Sequence, residues 1–541
     1  MKIIMHAQNN ISAVQHLRII FISICIFFSA FSEAYCYDIF YTVTIDSPNS
    51  HRAVIDMKVS NINENSINVV EYGARQGGYV FINVIAFEAK DEHGNELFIN
   101  HTEGDDCSSE YDSWEIESSG LSSVYLTYTI QTSKIDCGGG GTYDDFYYSY
   151  ISEDFAALMP ETLFLFPSDT NKIDSLEVKF LLPASWSIIC SWENQNSHYN
   201  MQMPLDPVGR LYFPTNIGIG HIETIKKEIR NSLVSVATYD NWPEEKKQIL
   251  AENTWKLYYN LATAWGSWAS EPYNVIYIPH SDDDEVIMGG FSEGGVFYSL
   301  KDGDPEHFGF WIDLATELVE TRYNGYEWGI KAPGWYYGGF AWFYGMKAVC
   351  NTYIYVNSSY SLFGMYDIYI DSYVNQGKDL PLIDIENSGD GWFARVKGSL
   401  FAYIIARELN LRSDGNYNID SFSQYLLKKY WGKSDRVDED TFKFELESFS
   451  GIDFTDIFNK YVYGNDTISL DWGLQDDDGD GLINTNEIIW DTSPHNPDTD
   501  ADGYTDKQEI DAETDPKDRR SCPGPCPVKP ISGILSLLFF D

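Results

Sequence analysis

Twelve residues beginning at Asp476 place oxygen donors where a hard cation needs them. Asp476, Asp478 and Asp480 stand at positions one, three and five, Gly481 at six, Leu482 at seven as a carbonyl donor, Asn484 at nine and Glu487 at twelve. Calcium takes six to eight oxygens; a glycine at six allows the sharp turn, and a bidentate glutamate at twelve closes the shell. The pattern returns twenty-two residues later as Asp498, Asp500, Asp502, Gly503, Tyr504, Asp506 and Glu509. Thr492-Ser493-Pro494 and Thr514-Asp515-Pro516 recur at the same offset. An unstructured acidic tail has no reason to keep such a register. Two calcium ions, one per loop, are expected.

A second set of candidates lies between Trp311 and Phe343. Asp313, Glu317 and Glu320 fall on one helical face at i, i+4 and i+7. Three carboxylates can hold a hard cation, and a solvated or salt-bridged face is the plainer reading of the same spacing. No two histidines lie one helical turn apart, and the chain has no Cys-x-x-Cys. The frame reads Leu314-Ala315-Thr316-Glu317-Leu318-Val319-Glu320, with Gly339 following after eighteen residues in Trp335-Tyr336-Tyr337-Gly338-Gly339-Phe340-Ala341-Trp342-Phe343. A thermolysin-like zinc peptidase writes His-Glu-x-x-His in such a helix, two ligands at i and i+4 with the general base between them. Its gluzincin branch adds a glutamate ligand in a Trp-x-x-Glu-Gly helix.

Other segments fall in the same order. They are Trp265-Gly266 with Pro272 to Tyr277, Gly289-Gly290-Phe291-Ser292-Glu293 with Ser299, Val396-Lys397-Gly398-Ser399-Leu400, and upstream Leu182-Pro183-Ala184-Ser185-Trp186. Together they resemble the glycyl aminopeptidase family of gluzincins over residues 38–465. The resemblance implies that Glu317 holds the general-base position and that Thr316, Glu320 and Gly339 hold the three ligand positions. It also implies that Ala394 and Arg395 stand where the family has oxyanion-stabilising tyrosines. Zinc is therefore not expected, since zinc sites are built from nitrogen, sulfur and carboxylate ligands.

The elements that must position these residues change character along the chain. Residues 1–34 read as a signal peptide: Lys2, His16 and Arg18 precede a thirteen-residue apolar stretch at 19–31, and Ser32-Glu33-Ala34 offers small residues for cleavage. Thirteen residues are too few to span a bilayer, which needs about 20. Residues 35–220 alternate short β-branched and aromatic runs with turns and predict an all-β domain. Residues 221–470 turn α-rich, with helices expected at 246–264, 313–322, 335–349, 395–409 and 419–430 and strands at 274–279 and 296–300. The calcium repeats fill 475–518, and 519–541 form a C-terminal tail with an apolar stretch at 531–540. The fold class is thus multidomain α+β: an N-terminal all-β domain, a thermolysin-like α-rich peptidase-type domain and a short calcium-loop repeat tail.

The net charge of −46 argues against nucleic acid as a partner and suits a secreted, cation-binding protein. The 38 Tyr, 31 Phe and 15 Trp are read as core and strand residues rather than a carbohydrate platform. Seven cysteines remain after the signal peptide, with Cys107–Cys137 and Cys522–Cys526 as the expected pairs. Only ten residues separate Glu487 from Asp498, including Pro494 and Pro497, so the loops are not full helix–loop–helix hands. They resemble thrombospondin type 3-like repeats, which form stalks; the alternative, a dockerin, wants a helix after each loop. The function these features point to is a secreted, catalytically inactive metallopeptidase-like protein with a calcium-binding stalk. It would bind a peptide or protein ligand, or a cell-surface component. An active aminopeptidase with a re-sited metal and a structural cell-surface protein stay open beside it.

Overall fold

The computed structural model describes residues 36–526 apart from 105–111, 133–148, 202–216, 267–271, 280–294, 301–309, 323–331, 353–360 and scattered single or paired positions. The expected signal peptide, the Cys107–Cys137 pair, the 289–293 segment and the apolar 531–540 stretch lie outside the described residues. Cys522 and Cys526 are disulfide-bonded. The chain divides into two compact units, and the division is not a single cut. The first takes residues up to 139, 163–183 and 192–212; the second takes 140–162, 184–191 and everything from 213 onward.

Among the described residues the first unit holds two main sheets and a two-stranded pair, Ala74–Arg75 with Gly78–Tyr79. The larger has seven strands in the order Asn194–Gln195, His198–Met201, Ile173–Leu181, Tyr37–Thr44, Arg52–Ser60, Ser123–Gln131 and Val84–Lys90. Tyr37–Thr44 runs parallel to Ile173–Leu181 and antiparallel to Arg52–Ser60. Period-two alternation sends Tyr37, Ile39, Tyr41 and Val43 inward, opposite Ala53, Ile55, Met57 and Val59 of the neighbouring strand. The smaller sheet orders Phe166–Pro167, Ser66–Val70, Ser113–Glu117 and Ile99–Thr102. Phe87 of the first sheet stacks on Trp114 of the second at 5.0 Å. Buried tyrosines keep their hydroxyls paired: Tyr41 donates to the Leu165 carbonyl, and Tyr128 donates to Leu163 and accepts from the Leu165 amide.

The second unit has two four-stranded sheets among the described residues: one of Tyr150–Ile151, Phe155–Leu158, Ile217–Gly220 and Ser187–Ile189, and one of Ile222–Ile229, Ser232–Tyr239, Tyr273–Pro279 and Gly295–Leu300. In the latter sheet the last two pairings are parallel, so a helix must cross between Ser232–Tyr239 and Tyr273–Pro279. That helix is α1 (Glu244–Trp265). There follow α2 (Phe310–Arg322), α3 (Gly334–Cys350), α4 (Leu362–Ile368), α5 (Leu382–Ser388), α6 (Gly391–Arg412), α7 (Ile419–Tyr430), α8 (Glu439–Ser450) and α9 (Thr455–Tyr461). The expected helices are all present, each within or matching one of these longer spans.

Helix α3 sits at the centre. From Trp335 to Val349 every residue but Tyr337 is buried, as expected of a helix apolar all round. It packs against both α2 and α6, and glycines set how closely. Asp390 caps α6 by accepting from the Phe393 amide at 2.9 Å. Inside α6, Lys397 is fully buried and donates to Asp379, the Leu380 carbonyl and Asn465. Among the described residues no helix is long and apolar enough to cross a membrane.

Candidate functional site

Helix α2 carries Asp313, Thr316, Glu317 and Glu320, and the four side chains meet different surroundings. Thr316 is buried at the crossing with α3; a Cβ on Gly345 would lie 2.5 Å from its Oγ1. Glu320 is buried and its Oε1 accepts from Arg395 Nη2 of α6 at 2.8 Å. The same guanidinium lies over the Trp342 ring, 5.7 Å from its centroid. Burial and the neighbouring charge of Glu320 raise the Glu317 carboxyl well above its ordinary value, with Arg395 opposing and Asp313 adding to the rise. Burial also raises Glu320, against the pull of Arg395.

The third ligand position needs correction. Counting eighteen residues from Glu320 selects Gly339, yet a Cβ on Gly339 would lie 2.4 Å from the Cα and carbonyl carbon of Gly398. That face of α3 is pressed against the α6 backbone. Its neighbour Gly338 is the one whose Cβ would meet Arg395, at 3.6 Å from Nε and 3.7 Å from Cβ. A side chain facing Arg395 would therefore have to come from position 338, and Gly339 is a packing glycine. Zinc does not fit this set. Position 316 is a hydroxyl turned into a helix crossing, position 338 has no side chain, and the one carboxylate, Glu320, is already paired with a fixed cation. Nor do Asp313, Glu317 and Glu320 converge on a point. Among the described residues, acidic, histidine and cysteine ligand atoms gather within 4.8 Å in two places only, Asp476/Asp478/Asp480 and Asp498/Asp500/Asp502.

Those two places are built alike. Asp476 accepts from the amides of Gly479 and Gly481, and Asp498 from those of Asp502 and Gly503. Asp480 caps Leu482 and Asp502 caps Tyr504. Gly479 takes φ 80°, and Ala501, twenty-two residues on, takes φ 60°. Asn484 and Asp506 each accept from the amide at position two of their loop, Asp477 at 3.1 Å and Thr499 at 2.9 Å. A helix begins at position nine of each loop: α10 (Asn484–Trp490) and α11 (Asp506–Asp511), the latter opened by a Thr505–Gln508 capping box.

The closing glutamates are the telling residues. Glu487 and Glu509 are both 0 % exposed. Neither oxygen of either carboxylate has a hydrogen-bond partner, and Asp478, Asp500 and Asp502 each leave one oxygen in the same state. Burial together with Asp478, Asp480, Asp506 and Asp476 pushes Glu487 up to about 9; burial with Asp502, Asp500, Asp506 and Asp498 pushes Glu509 up to about 8. Buried, unpaired carboxylates crowded by like charge are strongly unfavourable unless a cation joins them. The three aspartates that each loop gathers are of the oxygen-donor type that a hard divalent ion takes.

The loops also touch each other. The Lys507 amide donates to Asp480 at 2.9 Å, and Asp506 raises both closing glutamates. Arg519 donates to the carbonyls of Asp500 and Ala501, and Trp472 Nε1 to Asp477. Sequence reasoning passed over Lys347, although a lysine inside so apolar a helix is a signal. It is buried in α3 and reaches Asp420 at 2.6 Å and Asp491, just past α10, at 2.7 Å. Ile488 of α10 belongs to the core of the second unit. The repeats are thus not a stalk standing clear of that unit, because their first helix is part of its core.

Residues 40–203 match the peptidase M61 N-terminal domain. Among solved structures, an aminopeptidase N family protein from Idiomarina loihiensis superposes with TM-score 0.63 at 13% identity, covering 80% of this chain and 77% of that one. An M1 zinc metallopeptidase from Deinococcus radiodurans gives TM-score 0.48 at 14% identity, over 80% of this chain and 94% of that one. Yeast LTA4 hydrolase gives 0.46 at 11%, over 80% and 68%. No curated protein matches the chain. The fold is like that of the aminopeptidase N family protein, and residues 40–203 are similar to the peptidase M61 N-terminal domain.

Proposed function

We propose that this chain is a secreted, catalytically inactive metallopeptidase-like protein that acts by binding, with calcium as its structural ion. A peptide or protein ligand held at the old cleft, or a cell-surface component, is the partner class. One observation carries the loss of catalysis: the Arg395 guanidinium lies along Gly338 and pairs with Glu320, at two of the three ligand positions. A fixed positive charge there repels a metal ion, and among the described residues no cluster of ligand side chains gathers there to replace the lost ones. Without a metal-bound water the base Glu317 has nothing to activate.

Elemental analysis of the purified mature protein should find no stoichiometric zinc, and aminoacyl substrates should stay uncleaved. Glu317→Gln should leave any binding activity within about twofold of wild type. One equivalent of tightly held zinc with chelator-sensitive hydrolysis would overturn the proposal and favour the re-sited metal.

For calcium, the buried closing glutamates support two ions, one per loop. The donors are Asp476, Asp478, Asp480, Leu482, Asn484 and Glu487, then Asp498, Asp500, Asp502, Tyr504, Asp506 and Glu509. Extracellular modules of this kind bind at roughly 10⁻⁴–10⁻³ M. Titration calorimetry should return two sites per chain, falling to one in Glu487→Gln. A flat titration of the wild type is the outcome that counts against it.

A further inference from the structure

We infer that calcium in the first loop locks the helical unit together, and does not merely stiffen a tail. The inference rests on the calcium reading above. Its starting point is that α10 does two jobs within seven residues. Glu487 closes the first loop, and the next residue, Ile488, lies in the core shared with α3 and α6. Ile489 and Trp490 are buried too. One residue past the helix, Asp491 takes φ 59° and meets Lys347 of α3. Thr485 shares a hydrogen bond of 3.2 Å with Tyr403 of α6, and Gly473 is packed against both of those side chains. Trp472 lies under the Arg407 guanidinium of α6 at 5.7 Å.

A seven-residue helix has no stability of its own, since nucleation is costly and few bonds repay it. What orients α10 is its packing on one side and the loop on the other. The loop gathers Asp476, Asp478 and Asp480 within 4.8 Å of one another, and the same twelve residues end at the buried Glu487. Without a cation these carboxylates oppose one another, and the strain falls on the helix that carries Ile488 and Asp491. With a cation they attract a common centre, and α10 is held where its apolar face and Asp491 fit α3 and α6. The second loop lacks this link. No residue of α11 belongs to that core; its loop meets the first through the Lys507 amide on Asp480, and past α11 the longer Lys517–Asp491 pair, at 3.6 Å, adds a partly exposed tie. The ion in the first loop should therefore matter far more to α3 and α6 than the ion in the second.

Hydrogen exchange on the full mature chain, in calcium chloride and in chelator, tests this. A ligand that binds only the folded state stabilises it by the factor 1 + [ion]/Kd. At a calcium concentration 100 times Kd, amides of α3 and α6 should gain about 100-fold in protection. Glu509→Gln should keep most of that gain and Glu487→Gln should lose it. Wild type compared with and without ion remains decisive if Glu487→Gln fails to fold. Two bound ions by calorimetry with unchanged exchange in α3 and α6 would overturn the inference and leave the calcium sites standing. Equal losses in the two variants would also overturn it. No bound calcium would overturn both.

Discussion

Gly339→Ala is expected to destabilise the helical unit by about 3 kcal/mol or more, while Gly338→Ala, one residue away, costs nothing. A Cβ at 339 would lie 2.4 Å from two backbone atoms of Gly398 and 2.7 Å from the Ser399 amide nitrogen. The contact is reciprocal, because a Cβ on Gly398 would lie 2.2 Å from the Trp335 carbonyl oxygen. No rotamer change relieves a clash between backbones; α3 and α6 must separate, and both are buried along most of their length. At 338 the added methyl meets Arg395 at 3.6 Å, an ordinary contact. There the usual advantage of alanine over glycine in a helix, about 0.5–1 kcal/mol, should appear instead. Urea unfolding of the two variants beside wild type checks the pair. Equal stability of Gly339→Ala and wild type would show that the crossing is looser than described. The same contrast decides where a zinc ligand could be rebuilt: glutamate at 338 faces Arg395, whereas glutamate at 339 has no space at all.

Lys347→Met should cost about 3–5 kcal/mol, because it leaves Asp420 without its cation and Asp491 with only the more distant Lys517. Lys347 is 3 % exposed and bridges Asp420 of α7 to Asp491 beyond α10. Burial already pushes Asp420 up to about 6 against the opposing pull of Lys347. For Asp491, burial pushes upward, but Lys347 and Lys517 together hold it below its ordinary value. Removing Lys347 lets both carboxyls rise. A group whose folded value exceeds its unfolded value takes up protons on folding, so its contribution is largest at low pH and fades as pH rises through the folded value. The gap between variant and wild type should therefore be widest near pH 8 and narrow toward pH 5. Unfolding midpoints for the two proteins at both pH values, at constant free calcium, measure it. A gap independent of pH would mean that the loss is one of packing and not of charge.

Much of the scaffold was legible. Strict alternation in Tyr37–Thr44 and Ser123–Gln131 marks strands with one buried face. The long helices α1, α3, α6 and α7 announce themselves by apolar periodicity or, for α3, by an almost unbroken apolar run. The seven-residue helices α4, α5, α9 and α10 did not, because so short a segment shows less than two turns of any pattern. The signal for the loop acids was strong since every donor lies within twelve residues and the spacing is itself the chemistry.

The sequence alone determined which side chains exist. It contains two evenly spaced sets of acidic oxygen donors, a glutamate at 317, and no pair of histidines one helical turn apart. Only the tertiary structure decided what those residues face. Glu320 meets Arg395 across 75 residues, and Lys347 meets Asp491 across 144. Local spacing says nothing about such pairs. Choosing between Gly338 and Gly339 likewise required knowing which side of α3 is turned to α6, a rotation of about 100° per residue that counting along the chain does not resolve. The fate of the acidic repeats followed the same logic. A period of twenty-two residues describes each loop, but burial of Ile488 depends on a core assembled from helices far away in the chain.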